Sequence, residues 1–428
     1  MESEARVHID SMAFKGYGVA RIKGKVVFIP YALTGDEGWV EIIEEKKRYS
    51  IGRMKKILIP SPWRVNPPCP YFGVCGGCQW QHIDVSAQGE FKREILKEGL
   101  KRLGGLKEIP PIHVASLLHP YGYRARVQLK ATGKAIGYYQ ERSHQIVDID
   151  HCPIAHPLVN QVIQGLRKEY PTFSQMGAIE LNISPEEGKG ILLLSPLSFG
   201  EGMENGLREF LQVHPILKGA AIKRKPGFIL FDDVYLYFTL SVNRPEGKYK
   251  LRLRTSPQSF SQINPEQNQT LVQTVLQYAE VKGDERVLDL YSGIGNFTLP
   301  LAINAKEVIA IEENRSAVED TQFNTEKNGI KNCTMIQGKA EEILKHWSRE
   351  KFNLVVLDPP REGCKRAFDQ VAGLRPERMI YVSCEPTTLS RDLHFFSENG
   401  YQLQKLCLID MFPQTYHMEV VALLKSLY

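Results

Sequence analysis

Cysteine is the residue type whose spacing first suggests chemistry. Three of the eight cysteines fall within ten positions in Cys69-Pro70-Tyr71-Phe72-Gly73-Val74-Cys75-Gly76-Gly77-Cys78, with five residues and then two between them. The glycines let a backbone wrap tightly around a bound group, and Cys152 in His151-Cys152-Pro153 can supply a fourth thiolate. Four thiolates suit either a 4Fe–4S cluster or a structural zinc, and the spacing does not choose between them. The start from Met1 to Asp10 is acidic and polar rather than signal-like, so the thiols read as reduced, a state in which clustered cysteines bind metal or do chemistry. Cys333, Cys364 and Cys407 have no evident partners and read as ordinary core or loop residues.

Cys384 differs from these. It stands in Tyr381-Val382-Ser383-Cys384-Glu385-Pro386, between an apolar run and a helix expected to open near Thr387 or Thr388. Amides at a helix terminus favour a thiolate, which suits a nucleophile. Another apolar run leads into Asp289-Leu290-Tyr291-Ser292-Gly293-Ile294-Gly295-Asn296-Phe297, whose glycines let the backbone pass close to a ligand. Thr298 stands where a dinucleotide fingerprint has its third glycine, so a ligand without a pyrophosphate, such as S-adenosylmethionine, fits better. Glu312 ends the next strand 23 residues after Asp289, where a carboxylate can accept both ribose hydroxyls of an adenosine.

The elements that must position these groups follow from the patterning. From about Asp284 the runs Val287–Leu290, Val308–Ile311, Leu354–Leu357 and Met379–Val382 alternate with polar helical stretches, as in an α/β doubly wound parallel sheet. Two further strands, near Gln402–Ile409 and Glu419–Leu424, have no helix between them and are expected to pair as an antiparallel edge. Residues 1–58 alternate short β-rich runs with glycine turns and predict a small antiparallel β-barrel. A proline-rich linker follows from Ile59 to Pro68. The remaining span, 59–250, is a central α+β domain carrying the clustered cysteines, with a helix near Phe91–Leu103 and a part near 87–115 open to packing on the catalytic half, 251–428.

The half from Ser256 to Leu424 resembles the class I methyltransferase domain of the uracil-5 RNA methyltransferases in five ordered motifs. These are Ser259-Phe260-Ser261-Gln262-Ile263-Asn264, the glycine loop, Asp358-Pro359-Pro360-Arg361-Glu362-Gly363, the Cys384 segment, and Phe412-Pro413 followed by His417-Met418-Glu419. The resemblance implies S-adenosylmethionine as cofactor, lined by Gln262, Tyr291, Asn296, Glu312 and Asp358 beside Asp289, Gly293 and Gly295. At Lys339 the chain departs from the family's usual Asp or Asn, and no contact is assigned there. The four cysteines Cys69, Cys75, Cys78 and Cys152 resemble the iron-sulfur site of the family's ribosomal branch. The first fifty-odd residues resemble the TRAM domain, an RNA-binding barrel of oligonucleotide-binding type.

The reaction so implied has a physical logic. Uracil C5 is too weakly nucleophilic to take a methyl group directly, so Cys384 adds first to C6 and turns the ring into an enolate. Once C5 carries the methyl, Glu419 takes the remaining proton and Cys384 leaves. Asp358 before two prolines is similar to the acidic loop of amino-directed methyltransferases, but those need no cysteine. Methyl transfer needs no electron, so a cluster here is structural or positions RNA.

Composition bounds the partners. Across 428 residues, 43% apolar and 24% charged, no apolar run is long enough to span a membrane, so a cytoplasmic protein is expected, with a monomer as the default. The net charge of +5 is mild, and its cations gather between Lys15 and Lys56, where an RNA-binding face and a solvated surface are equally good readings. Arg124, Arg126, Arg361 and Arg391 are further RNA candidates beside structural roles. The implied substrate is a looped or flipped-out uridine of 23S ribosomal RNA, the T loop of transfer RNA being the alternative. Radical methylthiotransferases also join a TRAM domain to three cysteines, but with three- and two-residue gaps and the barrel at the other end. A non-catalytic iron-sulfur RNA-binding protein would have no use for Cys384 and Glu419.

Overall fold

The computed structural model describes residues 4–133, 135–169, 173, 176–198, 202–224, 227–244, 247–347 and 350–428. Six strands open the chain: β1 (Glu4–His8), β2 (Ser11–Ala13), β3 (Tyr17–Ile22), β4 (Lys25–Pro30), β5 (Glu37–Glu45) and β6 (Tyr49–Ile59). They form one sheet in the order β1-β5-β6-β4-β3-β2. Period-two alternation turns Val27, Ile29 and Val40 inward onto a small core of their own. The sheet is not wholly antiparallel as the sequence suggests: β6 inserts between β5 and β4 and runs parallel to β4, Phe28 lying opposite Ile51. The proline-rich stretch is no free linker either. Buried Asp36 accepts from the Leu33 and Ser61 N–H groups (2.8 and 2.9 Å) and from Arg64 Nε (2.9 Å).

Helix α1 (Val85–Arg102) starts earlier than its apolar periodicity suggests, because Asp84 caps it by accepting from the Ser86 N–H at 2.9 Å. After the short β7 (Ile112–Val114) the chain builds a central unit. It contains β8 (Arg126–Thr132), β9 (Ala135–Tyr139), β10 (Ile146–Asp148), α2 (Pro157–Lys168), β11 (Gly177–Ser184), β12 (Lys189–Ser195), α3 (Met203–Val213), β13 (Leu217–Arg224) and β14 (Gly227–Asp232). Its seven strands run in the order β10-β9-β8-β11-β12-β13-β14, and α2 and α3 bury Ile163, Leu166, Leu207 and Phe210 against them. A two-stranded ribbon, β15 (Leu236–Arg244) and β16 (Gly247–Thr255), leads out of it.

The last unit comprises α4 (Pro265–Ala279), β17 (Arg286–Leu290), α5 (Thr298–Ala302), β18 (Glu307–Glu312), α6 (Arg315–Lys327), β19 (Cys333–Gln337) and α7 (Ala340–Ile343), then β20 (Leu354–Leu357), α8 (Phe368–Leu374), β21 (Arg378–Ser383), α9 (Pro386–Glu398), β22 (Tyr401–Ile409) and β23 (Glu419–Ser426). Its eight strands lie in the order β19-β18-β17-β20-β21-β23-β22-β7. β17 to β21 pair in parallel, and β23 enters antiparallel beside β21. The β22–β23 pair is antiparallel as expected but is not the edge. β7, from before the central unit, pairs parallel to β22 with Ile112 opposite Leu406 and covers ladder groups that would otherwise be open. Among the described residues no helix is long and apolar enough to cross a membrane.

Candidate active site

Parallel strands deliver their carboxyl ends to one side of a sheet, and an antiparallel strand begins there. Leu290 of β17, Leu357 of β20 and Tyr381 of β21 stand in one row, so the residues just beyond them emerge together. Asp358 and Cys384 are therefore brought to the same crevice. β23 pairs with β21 with Val420 opposite Ser383, and the neighbouring Glu419 and Cys384 line one cavity, close enough for Glu419 to act on the thiol. A single cavity of about 1620 Å³ is lined by Gln262, Tyr291, Gly293, Asn296, Glu312, Asp358, Arg361, Cys384 and Glu419.

The glycine loop needs its glycines. Tyr291, Gly293 and Gly295 all have positive φ (63°, 56° and 89°). A Cβ on Gly295 would lie 2.3 Å from Leu299 Cδ1, whereas one on Gly293 would meet nothing within 4 Å. Glu312 ties the loops together, accepting from the Gly293 N–H (3.0 Å) and the Asn314 N–H (2.7 Å). Asn268 and Asn296 exchange hydrogen bonds of 2.8 and 3.0 Å. Gln262 has no hydrogen-bond partner among the described residues and lines the cavity, free for a ligand. The carboxylates of Glu312 and Asp358, an unpaired amide and an open glycine backbone fit a polar, cationic nucleoside. Asp289 and Gly295 do not reach the cavity. Asp289 is buried beneath the loop, where Thr298 Oγ1 donates to it at 2.5 Å, and burial raises its carboxyl to about 7. Thr298, in place of a third glycine, thus braces the loop from below.

Electrostatics at Cys384 and Glu419 run against the local expectation. α9 opens at Pro386 with Glu385 as its cap, yet the Cys384 thiol is pushed up to about 11, by burial first and then by Glu419. The positive charge of Arg361, on the same cavity, opposes this. The buried Glu419 carboxyl is raised by desolvation and by Asp358, which is itself raised by burial. The loop carrying Arg361 is pinned from α9: Asp392 accepts from the Cys364 N–H (3.0 Å) and the Tyr381 hydroxyl (2.5 Å). Arg391 serves this network, binding Asp392 and the Glu362 carbonyl, which gives it a structural role. Arg126 does line the cavity, with its guanidinium 5.6 Å from the exposed Phe260 ring. Phe260 and Phe412, quoted in sequence only as parts of their motifs, line the cavity, as do Asn268 and Lys339. The Phe260 motif was the signal for the first of these, and nothing local marks Asn268.

Cys69, Cys75, Cys78 and Cys152 lie elsewhere, near one another. Cys75 and Cys78 are raised to about 11 and 12 by burial, and each feels Cys152. Cys69 and Cys152 are raised by burial as well. Gly77 N–H approaches Cys75 Sγ (3.4 Å), and Gly76 runs so close to Tyr139 that a Cβ would sit 3.0 Å from its carbonyl oxygen. Beside Cys152 the buried Tyr138 hydroxyl has no hydrogen-bond partner. Buried neutral thiols with an orphan hydroxyl beside them fit a bound cationic group that would hold the sulfurs as thiolates. Among the described residues no group of three or more His, Cys, Asp or Glu is arranged around a single metal ion.

Residues 202–427 match the family described as tRNA (Uracil-5-)-methyltransferase, and residues 3–55 match the TRAM domain. The chain is 35% identical to the 23S rRNA (uracil(1939)-C(5))-methyltransferase RlmD of Pectobacterium atrosepticum, over 95% of this chain and 90% of that protein. An RNA methyltransferase of Caldanaerobacter subterraneus is 37% identical over 98% of each chain. The solved tRNA (uracil-54, C5)-methyltransferase of Pyrococcus abyssi, in complex with S-adenosyl-L-homocysteine, superposes with a TM-score of 0.74 at 25% identity, covering 98% of this chain and all of that one.

Proposed function

This chain belongs to the uracil-5 RNA methyltransferase family, and from that membership we propose that Cys384 is its nucleophile and Glu419 its base. The enzyme methylates uracil C5 in RNA and uses S-adenosylmethionine, which supplies an electrophilic methyl group when bound. Cys384 Sγ forms a bond to C6 and moves electron density onto O4 and C5, with Arg361 favouring the thiolate. C5 then takes the methyl. Glu419 accepts the C5 proton, and the electrons of that C–H bond re-form the C5–C6 double bond as Cys384 departs. Gln262 and Glu312 hold and orient the cofactor, while Asp358 supplies negative charge beside its cationic centre. The observation that supports this reading is that the buried Glu419 carboxyl and the Cys384 thiol, each one residue beyond the paired Val420 and Ser383, line one cavity.

The substrate proposed is a loop uridine of 23S ribosomal RNA, supported by 35% identity to the Pectobacterium enzyme over nearly the whole chain. Both faces of the base must be reached, so it must be unpaired or flipped out. Cys69, Cys75, Cys78 and Cys152 are proposed to hold a 4Fe–4S cluster that fixes their loop and takes no part in methyl transfer. Iron, sulfide and zinc assays of anaerobically purified protein test this; one zinc per chain without sulfide would replace the cluster by a structural zinc. The cytoplasm is the proposed site of action.

Transfer of labelled methyl groups to unmodified total RNA, with ribosomal and transfer RNA separated before digestion to nucleosides, tests the function. Label in 5-methyluridine of 23S RNA is expected, label in transfer RNA would move the substrate to the T loop, and equal activity of Cys384→Ala would sink the mechanism.

A further inference from the structure

Glu419 is delivered to the cavity by Asp410–Met418, the stretch joining β22 to β23. Several of the ties that hold this stretch come from segments before the methyltransferase unit. The Trp80 N–H donates to the Gln414 carbonyl (2.9 Å), Gln88 Oε1 accepts from the Gln414 N–H (2.9 Å), and the Tyr123 hydroxyl donates to the Pro413 carbonyl (2.9 Å). Lys92 of α1, fully buried, reaches Asp410 at 2.6 Å.

The front barrel provides the last support. Between β2 and β3 a single helical turn, Phe14–Gly16, puts Lys15 and Gly16 at φ of 68° and 78°. This kink presents the Phe14 ring edge-on to Tyr416, with centroids 5.6 Å apart. Tyr416 in turn lies over His417 at 4.2 Å, two residues before Glu419. Gly16 is flush with Trp80: a Cβ there would sit 2.4 Å from Nε1 and 3.5 Å from Tyr416 Cβ. Met12 and Phe14 pack against the methyltransferase core, not the barrel's own. Phe14 itself does not line the cavity.

We infer that Phe14 is a positioning residue for the methylation reaction: through Tyr416 and Trp80 the barrel's β2–β3 turn holds the loop that aims Glu419, so the barrel sets the rate of the chemistry as well as the hold on RNA. This rests on the reading of Glu419 as the base. Misplacing a catalytic group by a fraction of an ångström to an ångström costs about tenfold or more in rate, while leaving distant RNA contacts intact.

The test uses full-length, metal-loaded protein and an unmodified RNA fragment. Single-turnover release of free 5-methyluridine RNA from the protein at saturating RNA and cofactor, RNA affinity, and the fraction of protein trapped covalently on RNA are measured for the parent, Phe14→Ala, Phe14→Leu and Phe14→Tyr. Phe14→Leu keeps apolar bulk if the alanine variant folds poorly. The expected result for Phe14→Ala is a single-turnover rate down about tenfold, RNA affinity within about twofold of the parent, and more trapped adduct, with a smaller loss in Phe14→Leu and rescue in Phe14→Tyr. A loss confined to RNA affinity, or rates within about twofold for both Phe14→Ala and Phe14→Leu, would overturn the inference while leaving Glu419 as the base. A parent that forms no 5-methyluridine would sink both.

Discussion

In the free protein Cys384 is a poor nucleophile. Its thiol is pushed up to about 11 by burial and by Glu419, with Arg361 as the opposing influence. At pH 7 a thiol of that pKa is ionised to about one part in 10⁴, against roughly three parts in a hundred for an ordinary cysteine, a reactivity deficit of a few hundredfold. The measurement is alkylation of Cys384 by iodoacetamide between pH 6 and pH 10, followed by mass spectrometry of its peptide. The rate should climb about tenfold per pH unit without reaching a plateau by pH 10. Arg361→Met removes the cation and should slow alkylation at every pH. Glu419→Gln removes the opposing carboxylate and should speed it at alkaline pH. An inflection below about pH 8.5 would refute the reasoning, because it would mean that the helix opening at Pro386 outweighs burial.

Glu419→Gln should allow addition and methylation but stall elimination, leaving a protein–RNA adduct visible as a shifted band on a denaturing gel. Lys92→Met leaves Asp410 buried without its cation and should cost about 3–5 kcal/mol of stability, while Lys92→Met combined with Asp410→Leu recovers much of it, read by denaturant unfolding. The Asp358 carboxyl is held above its ordinary range by burial, so it ionises only as pH rises through that raised value. Cationic S-adenosylmethionine should accordingly bind more tightly at pH 8 than at pH 6, and S-adenosylhomocysteine, which lacks the sulfonium charge, should gain much less; equal gains in calorimetry would contradict this.

How much of this was legible in the sequence depends on how local each signal is. The glycine loop, Asp358-Pro359-Pro360 and Cys384 each follow an apolar run, and a buried parallel strand announces its carboxyl end in one dimension. The doubly wound sheet and the crevice at its carboxyl ends, with Cys384 on its lining, could be read for that reason. The four clustered thiols were legible by residue type alone, as were the barrel's alternating strands. Asp289 and Gly295 were assigned to the cofactor because they sit in the motif, yet the fold turns one beneath the loop and the other against Leu299.

Contacts between segments far apart in the chain were not legible. Lys92 looks like one more solvated lysine in a charged helix, and only the fold buries it against Asp410, 318 positions away. β7 is three residues long and carries no strand signal, so the covered edge of the main sheet could not be foreseen. The sense of the Cys384 shift was misjudged because a helix terminus is a local feature, whereas desolvation and the facing Glu419 come from β23 and the cavity walls. The sequence by itself determined which strands present Asp358 and Cys384 to one crevice, and which residue types stand there. Tertiary structure alone decided their protonation, the pairing that brings Glu419 and Cys384 to one cavity, and the hold of a distant barrel turn on the loop between them, because charge and packing act through space and not along the chain.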